Sequence, residues 1–201
     1  MTTKPDTDWM TRQELWVWEQ IRDGNWADLS KLPQEIRDEI GDGDKPAVTA
    51  PLTKQEDGTL QPVPDEDWPE WQVLRGDFIE QVLRETDFHT ARKRNEVDIK
   101  CACIHGRILL SQEHIPGSVY LHTCKFEDEV ELFDADISGV ISFQSSHLVK
   151  SFEADRLRTG GSVYLRNGAR FDGGVRLLGA VIGGNLECDG SQFVTGSQSM
   201  R

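Results

Sequence analysis

The stretch Val97–Phe126 reads VDIKCACIHGRILLSQEHIPGSVYLHTCKF, and its spacing decides the fold. Apolar residues stand at Val97 and Ile99, a small one at Ala102 and an apolar one at Ile104. The order returns as Ile108-Leu110-Glu113-Ile115 and as Val119-Leu121-Cys124-Phe126. Further on it runs through Val130-Leu132-Ala135-Ile137 and Ile141-Phe143-Ser146-Leu148. A weak unit is read as Lys150-Phe152-Asp155-Leu157. Then come Val163-Leu165-Ala169-Phe171, Val175-Leu177-Ala180-Ile182, and Leu186 with Ser191-Phe193. Unit starts step by 11, 11, 11, 11, 9, 13, 12 and 11 residues. Periodicity of this kind marks a solenoid.

Residues two apart on a strand point to the same side. The small and the large apolar residues therefore turn inward, and the others face solvent. Two units make about one coil with four short faces. Coils stacked by parallel pairing at roughly 4.8 Å give a rod of four to five coils, about 20 Å long. Gly106, Gly117, Gly139, Gly161, Gly174 and Gly184 recur near unit junctions, where a corner favours a permissive backbone. Lys150 and Asp155 fall in inward slots under this register, which predicts a distortion there.

Upstream the grammar changes. All six tryptophans lie at or before Trp71, and seven of the eight prolines precede Val97. Thr11 and Glu14 form a capping box that opens a helix over Arg12–Asp23, ended by Gly24. Pro33 starts a short helix, Gln34–Ile40. Residues 41–67 have little periodicity and are expected to form an extended or mobile loop. Trp71, Leu74, Phe78, Ile79, Val82 and Leu83 predict an amphipathic helix over Pro69–Glu85 that covers the solenoid end. The expected organisation is an acidic, Trp-rich segment at 1–68, a capping helix at 69–96, a parallel β-helix at 97–195 and a polar tail at 196–201. The fold class is mainly β: a right-handed, quadrilateral, pentapeptide-like parallel β-helix with an N-terminal helical and irregular capping segment.

The units resemble pentapeptide-repeat proteins, which carry a small residue two before a central Leu or Phe. Leu74-Arg75-Gly76-Asp77-Phe78, Val97–Gly106 and the run from Gly173 to Cys188 are similar, more closely, to a bacterial family of pentapeptide-like β-helices of uncharacterised role. The resemblance covers about Trp71–Phe193 and leaves residues 1–65 out. Some relatives are labelled membrane-associated oxidoreductases, but no residues here support that label. Relatives tend to continue with more coils.

The net charge of −13 argues against binding through phosphate neutralisation and against adhesion to an anionic membrane. No apolar run approaches the roughly 20 residues of a membrane span. Four cysteines do not make a disulfide scaffold, and no signal peptide is visible, so the expectation is a cytoplasmic protein with reduced thiols. Cys101 and Cys103 flank inward Ala102 and are expected to face out, with His105 the only local further metal ligand. Cys124 fills a small-residue slot, and Cys188 is expected to face solvent. The five histidines do not recur at the coil spacing. No HExxH, CxxC or GxSxG motif occurs. No catalytic residue, cofactor site or metal site is assigned.

Residues 1–96 hold 22 acidic and 12 basic residues, and residues 97–201 hold 13 and 10. The charge thus belongs mainly to the N-terminal segment. The function expected is a non-enzymatic protein-binding scaffold or inhibitor. Its partner-binding candidates are Trp9, Trp16, Trp18, Trp26, Asp65, Glu66 and Asp67. The second group, Glu127, Asp128, Glu129, Glu131, Asp134 and Asp136, is expected to share one solvated face. The C-terminal coils, through Leu186 and Phe193, are candidates for a homodimer interface. One alternative is an acidic DNA mimic acting on a DNA-handling enzyme. Others are a redox or carbohydrate-active enzyme, and a shortened structural piece of a longer relative.

Overall fold

The computed structural model describes residues 5–56 and 60–194. The tail at 196–201 lies outside them. From Glu96 onward the chain winds as a right-handed parallel β-solenoid with four narrow sheets. The first holds Glu96–Lys100, Ser118–His122, Ile141–Ser142, Val163–Tyr164 and Leu186–Glu187. The second holds Cys103–His105, Lys125–Phe126, His147–Leu148, Arg170–Phe171 and Gln192–Phe193. The third and fourth begin at Ile108–Leu109 and His114–Ile115 and end at Val175–Arg176 and Val181–Ile182. Every pairing between these strands is parallel, and one coil advances 22 residues, as from Cys103 to Lys125 and on to His147.

Four inward slots per unit fill the core. Phe126, Phe143, Phe152 and Phe171 are fully buried and form a ladder of rings with centroids 5.5, 5.2 and 6.4 Å apart. The weak unit is corrected here. Its inward residues are Phe152, Ala154, Leu157 and Thr159, all buried, and Phe152 pairs with Val130 below and Val175 above. Lys150 is exposed and Asp155 points outward to Arg176. Unit starts therefore keep the eleven-residue step through position 163, with no distortion at 150. The one extra residue falls at the corner Asn167-Gly168, where both have positive φ.

Of the glycines expected at corners, Gly106, Gly117 and Gly174 have positive φ, whereas Gly139, Gly161 and Gly184 do not. A left-handed residue recurs at Cys101, Gln112, Thr123, Asp134, Ser145, Arg156 and Asn167, then at Gly179 and Gly190. Gly139 serves close stacking instead: a Cβ there would lie 2.7 Å from the Gly117 carbonyl oxygen of the preceding coil.

The N-terminal segment closes the first coil. Helix α1, Arg12–Asp23, has the expected capping box: Thr11 Oγ1 accepts from the Glu14 amide and the Glu14 carboxylate accepts from the Thr11 amide. Glu14 is fully buried, and its carboxylate also accepts from the Arg75 guanidinium at 2.8 Å. Beyond Gly24, Ala27–Asp28 adds a parallel strand to the first sheet. Helix α2, Gln34–Ile40, follows Pro33. The expected loop at 41–67 contains an antiparallel hairpin, Leu52–Lys54 with Leu60–Pro62, and a short 3-10 turn at Asp65–Asp67.

The helix expected over Pro69–Glu85 is shorter. Val73–Arg75 is a strand that extends the second sheet, and helix α3 spans only Gly76–Arg84. Gly76 marks the switch because a Cβ there would overlap the Arg107 carbonyl oxygen. Helix α3 then lies over the third and fourth sheets, where Glu80 accepts from the Leu109 amide at 2.6 Å. Two sheets are thus closed by a strand and two by a helix, which removes the edge that an open sheet presents. Helix α4, Thr86–Ala91, leads into the solenoid. No helix among the described residues is long and apolar enough to cross a membrane.

Candidate functional site

Parallel stacking sets residues one coil apart side by side. On the outer surface of the second sheet this builds a row of titratable groups: Cys103, Lys125, His147 and Arg170. A second row two residues on holds His105, Glu127 and Asp172. The arm at 45–73 folds over the lower end of these rows. Val63 and Trp68 pack on Cys103, with Val48 and Val73 beside them. Lys125 is buried and its ammonium pairs with Asp65 of the arm and, at 3.5 Å, with Glu127.

Cys103 and Cys101 are both buried, against expectation. Cys103 does project outward from its coil, but the arm covers it. Cys101 sits at a left-handed corner, with its Sγ 3.6 Å from the Thr49 carbonyl oxygen and 3.4 Å from Thr123 Oγ1. The two thiols therefore do not act as a pair. Burial pushes the Cys103 thiol far up, and the Glu127 carboxylate adds to the rise. Cys124 is fully buried as packing, and Cys188 occupies a half-buried inward slot rather than facing solvent.

Glu127 Oε2 lies 3.1 Å from His105 Nε2, and its Oε1 lies 3.8 Å from Cys103 Sγ. These three ligand atoms all fall within 4.8 Å of one another. The sequence signal for Glu127 was available: it follows His105 by one 22-residue coil.

Two coils further along, His147 Nε2 is 2.8 Å from Asp172 Oδ2, and Arg170 Nε donates to the same carboxylate at 2.7 Å. Burial pushes the imidazole below its ordinary pKa, against the pull of Asp172. Burial works to raise the Asp172 carboxyl, but the bonds from His147 and Arg170 outweigh it and hold it low. His147 Nδ1 is buried, and among the described residues no group lies within hydrogen-bond reach of it.

The tryptophans divide. Trp18 is buried edge-on against Phe88 with centroids 4.7 Å apart, so it is core and not a partner contact. Trp9 is half-buried near Phe78, under the Arg75 guanidinium. Trp16 and the exposed Trp26 line an open cleft of about 540 Å³ with Gln20, Asp28, Lys31 and Arg94. Lys100 Nζ stands 3.7 Å over the Trp26 ring. Asp98 adjoins this cleft with one carboxylate oxygen buried and unpartnered, and burial raises its pKa. Glu66 and Asp67 are exposed on the arm.

The acidic run at 127–136 does not form one face. Glu129 and Glu131 approach Arg107 at 3.9 and 3.7 Å. Asp134 holds Arg156 through two bonds of 2.6 Å, and Asp136 lies 3.5 Å from His114. Asp134 occupies a corner, and Asp136 a different sheet from Glu131. Asp128 is half-buried between Glu127 and Glu129. Basic groups from neighbouring coils thus accompany most of these carboxylates, and this weakens a continuous negative stripe.

The C-terminal coil differs from the N-terminal one. Leu186 and Phe193 are 48% and 46% exposed, and Leu178 and Val181 are 66% and 60% exposed. Phe193 stacks on Phe171 with its other side uncovered by any described residue. Among the described residues, the strands Val175–Arg176, Val181–Ile182, Leu186–Glu187 and Gln192–Phe193 each pair on one side only.

The chain is a parallel β-solenoid whose own N-terminal segment caps one end. No protein-family model matches it, and neither a curated protein nor a solved structure does.

Proposed function

We propose that this protein is a non-enzymatic, pentapeptide-repeat-like scaffold that binds protein, and that its C-terminal coil docks against a second copy of the chain. The observation that supports this is the unlike treatment of the two ends. The N-terminal end is closed by two strands and helix α3, whereas among the described residues the C-terminal coil leaves four strand edges unpaired and its inward-slot Leu186 and Phe193 about half-exposed. An open edge of this kind is a template for further pairing. Two copies of one end have matching dimensions and can meet about a two-fold axis, so that each covers the other's Leu186 and Phe193. The acidic arm with Glu66 and Asp67, and the cleft at Trp26, remain free for another protein partner. The free thiols favour a reducing compartment such as the cytoplasm.

The test is the mass in solution by light scattering. A particle of twice the 22.7 kDa chain mass is expected. Leu186→Asp and Phe193→Asp are expected to halve it with the circular dichroism unchanged. A monomeric parent chain, or a dimer that survives both substitutions, refutes the proposal.

A further inference from the structure

The cluster under the arm has a chemistry that the scaffold reading does not use. Cys103 and His105 are alternate residues of one strand, and both project from the outer surface of the second sheet. Glu127 comes from the next coil, in register beside His105. His105 Nε2 lies 3.1 Å from Glu127 Oε2 and Cys103 Sγ lies 3.8 Å from Glu127 Oε1, and the three ligand atoms fall within 4.8 Å of one another, close enough for small side-chain shifts to bring them onto one ion. Tetrahedral Zn²⁺ bonds of about 2.0–2.3 Å set neighbouring ligand atoms roughly 3.3–3.6 Å apart.

We propose that Cys103, His105 and Glu127 form a binding site for a divalent transition-metal ion, with Zn²⁺ the best match. One sulfur, one imidazole and one carboxylate suit a borderline-soft ion and not Mg²⁺ or Ca²⁺, which take all-oxygen shells. On binding, the Cys103 thiol gives its proton to solvent and the sulfur bonds as thiolate. The fourth position stays open to water or to a group from a partner.

The surroundings support the site. Val63 and Trp68 keep water from the sulfur. The Trp68 indole N–H is buried in the same cluster with no hydrogen-bond partner. It is a donor of the type that a metal-bound thiolate accepts. Lys125 bonds Glu127 Oε1 at 3.5 Å and is itself paired with Asp65, so the ammonium orients the carboxylate while its charge is balanced by the arm. Occupancy would link two coils beneath the arm. Cys101 takes no part, because its sulfur is engaged at the corner with Thr49 and Thr123.

The full chain, reduced and stripped with a chelator, is titrated with Co²⁺ and then with Zn²⁺. One equivalent of Co²⁺ is expected to give thiolate-to-metal charge-transfer absorption, which Zn²⁺ removes. Cys103→Ser abolishes the band, and Cys101→Ser leaves it. His105→Ala and Glu127→Gln weaken binding by about tenfold or more. His105 is half-exposed, so its variant keeps the fold and remains informative if the cysteine variant does not. No band in the parent chain, a band that survives Cys103→Ser in folded protein, or unchanged affinity in His105→Ala overturns the site.

Discussion

Phe152→Ala, set against Lys150→Ala, tests the register of the solenoid at the unit whose sequence pattern is weakest. Phe152 has no exposed surface, and its ring stands 5.2 Å from Phe143 and 6.4 Å from Phe171. Removing a buried phenyl group forfeits about 2–3 kcal/mol of transfer free energy. The cavity adds roughly 1–2 kcal/mol, since stacked coils cannot collapse inward without breaking their ladders. The expected loss is about 3–5 kcal/mol. Lys150 is exposed, and its removal is expected to change stability by less than about 0.5 kcal/mol. Urea unfolding is followed in two ways. Every tryptophan lies at or before Trp71, so fluorescence reports on the cap, while far-ultraviolet circular dichroism reports mainly on the coils. Coincident transitions validate a single free energy, whereas separate ones place the damage in the solenoid. A Lys150→Ala loss as large as that of Phe152→Ala refutes the register described here.

Gly160→Ala places a Cβ on the Ser138 carbonyl oxygen of the preceding coil. Backbone cannot yield as a side-chain tip does, so a loss of about 2 kcal/mol or more in urea unfolding is expected. A neutral result refutes close stacking as the reason for glycine. His122 is half-buried, with Nε2 2.8 Å from Ser142 Oγ. Burial, with the Lys100 and Arg166 charges, pushes it from 6.5 down to about 4. The unfolded chain then binds more protons below pH 6.5, so stability falls as pH drops from about 6.5 to 4, by on the order of 2–3 kcal/mol. His122→Gln is expected to flatten the pH dependence of the melting temperature over that window, and an unchanged profile refutes the assignment.

Much of the architecture was legible in the sequence because an eleven-residue pattern of inward slots is a local property of strand alternation. Val97, Ile108, Val119 and Val130 needed no tertiary information to be placed in the core. The α1 capping box and the Gly24 stop were legible for the same reason, since both act within a single turn. The unit at 150 is ambiguous in the sequence because Phe152 can stand either first or second in its inward pair, with Ala154 or Lys150 as the other member. Only the pairing of Phe152 with Val130 and Val175 chooses between them. The start of the helix ahead of the solenoid is ambiguous in the sequence for a similar reason. Leu74 satisfies a helical face as well as it satisfies a strand, and the open edge at Cys103–His105 captured it.

The sequence by itself determined the repeat, the approximate coil count and the inward residues outside the unit at 150, because each depends on spacing along one chain. The tertiary structure decided what covers those coils. The arm buries Cys103 and supplies Asp65 to Lys125. Neighbouring coils carry the arginines that pair with the acidic run, and Trp18 is drawn into the cap. Glu127 beside His105 lies between the two cases. Its 22-residue offset is written in the sequence, but only the stacked coil turns that offset into a distance of 3.1 Å.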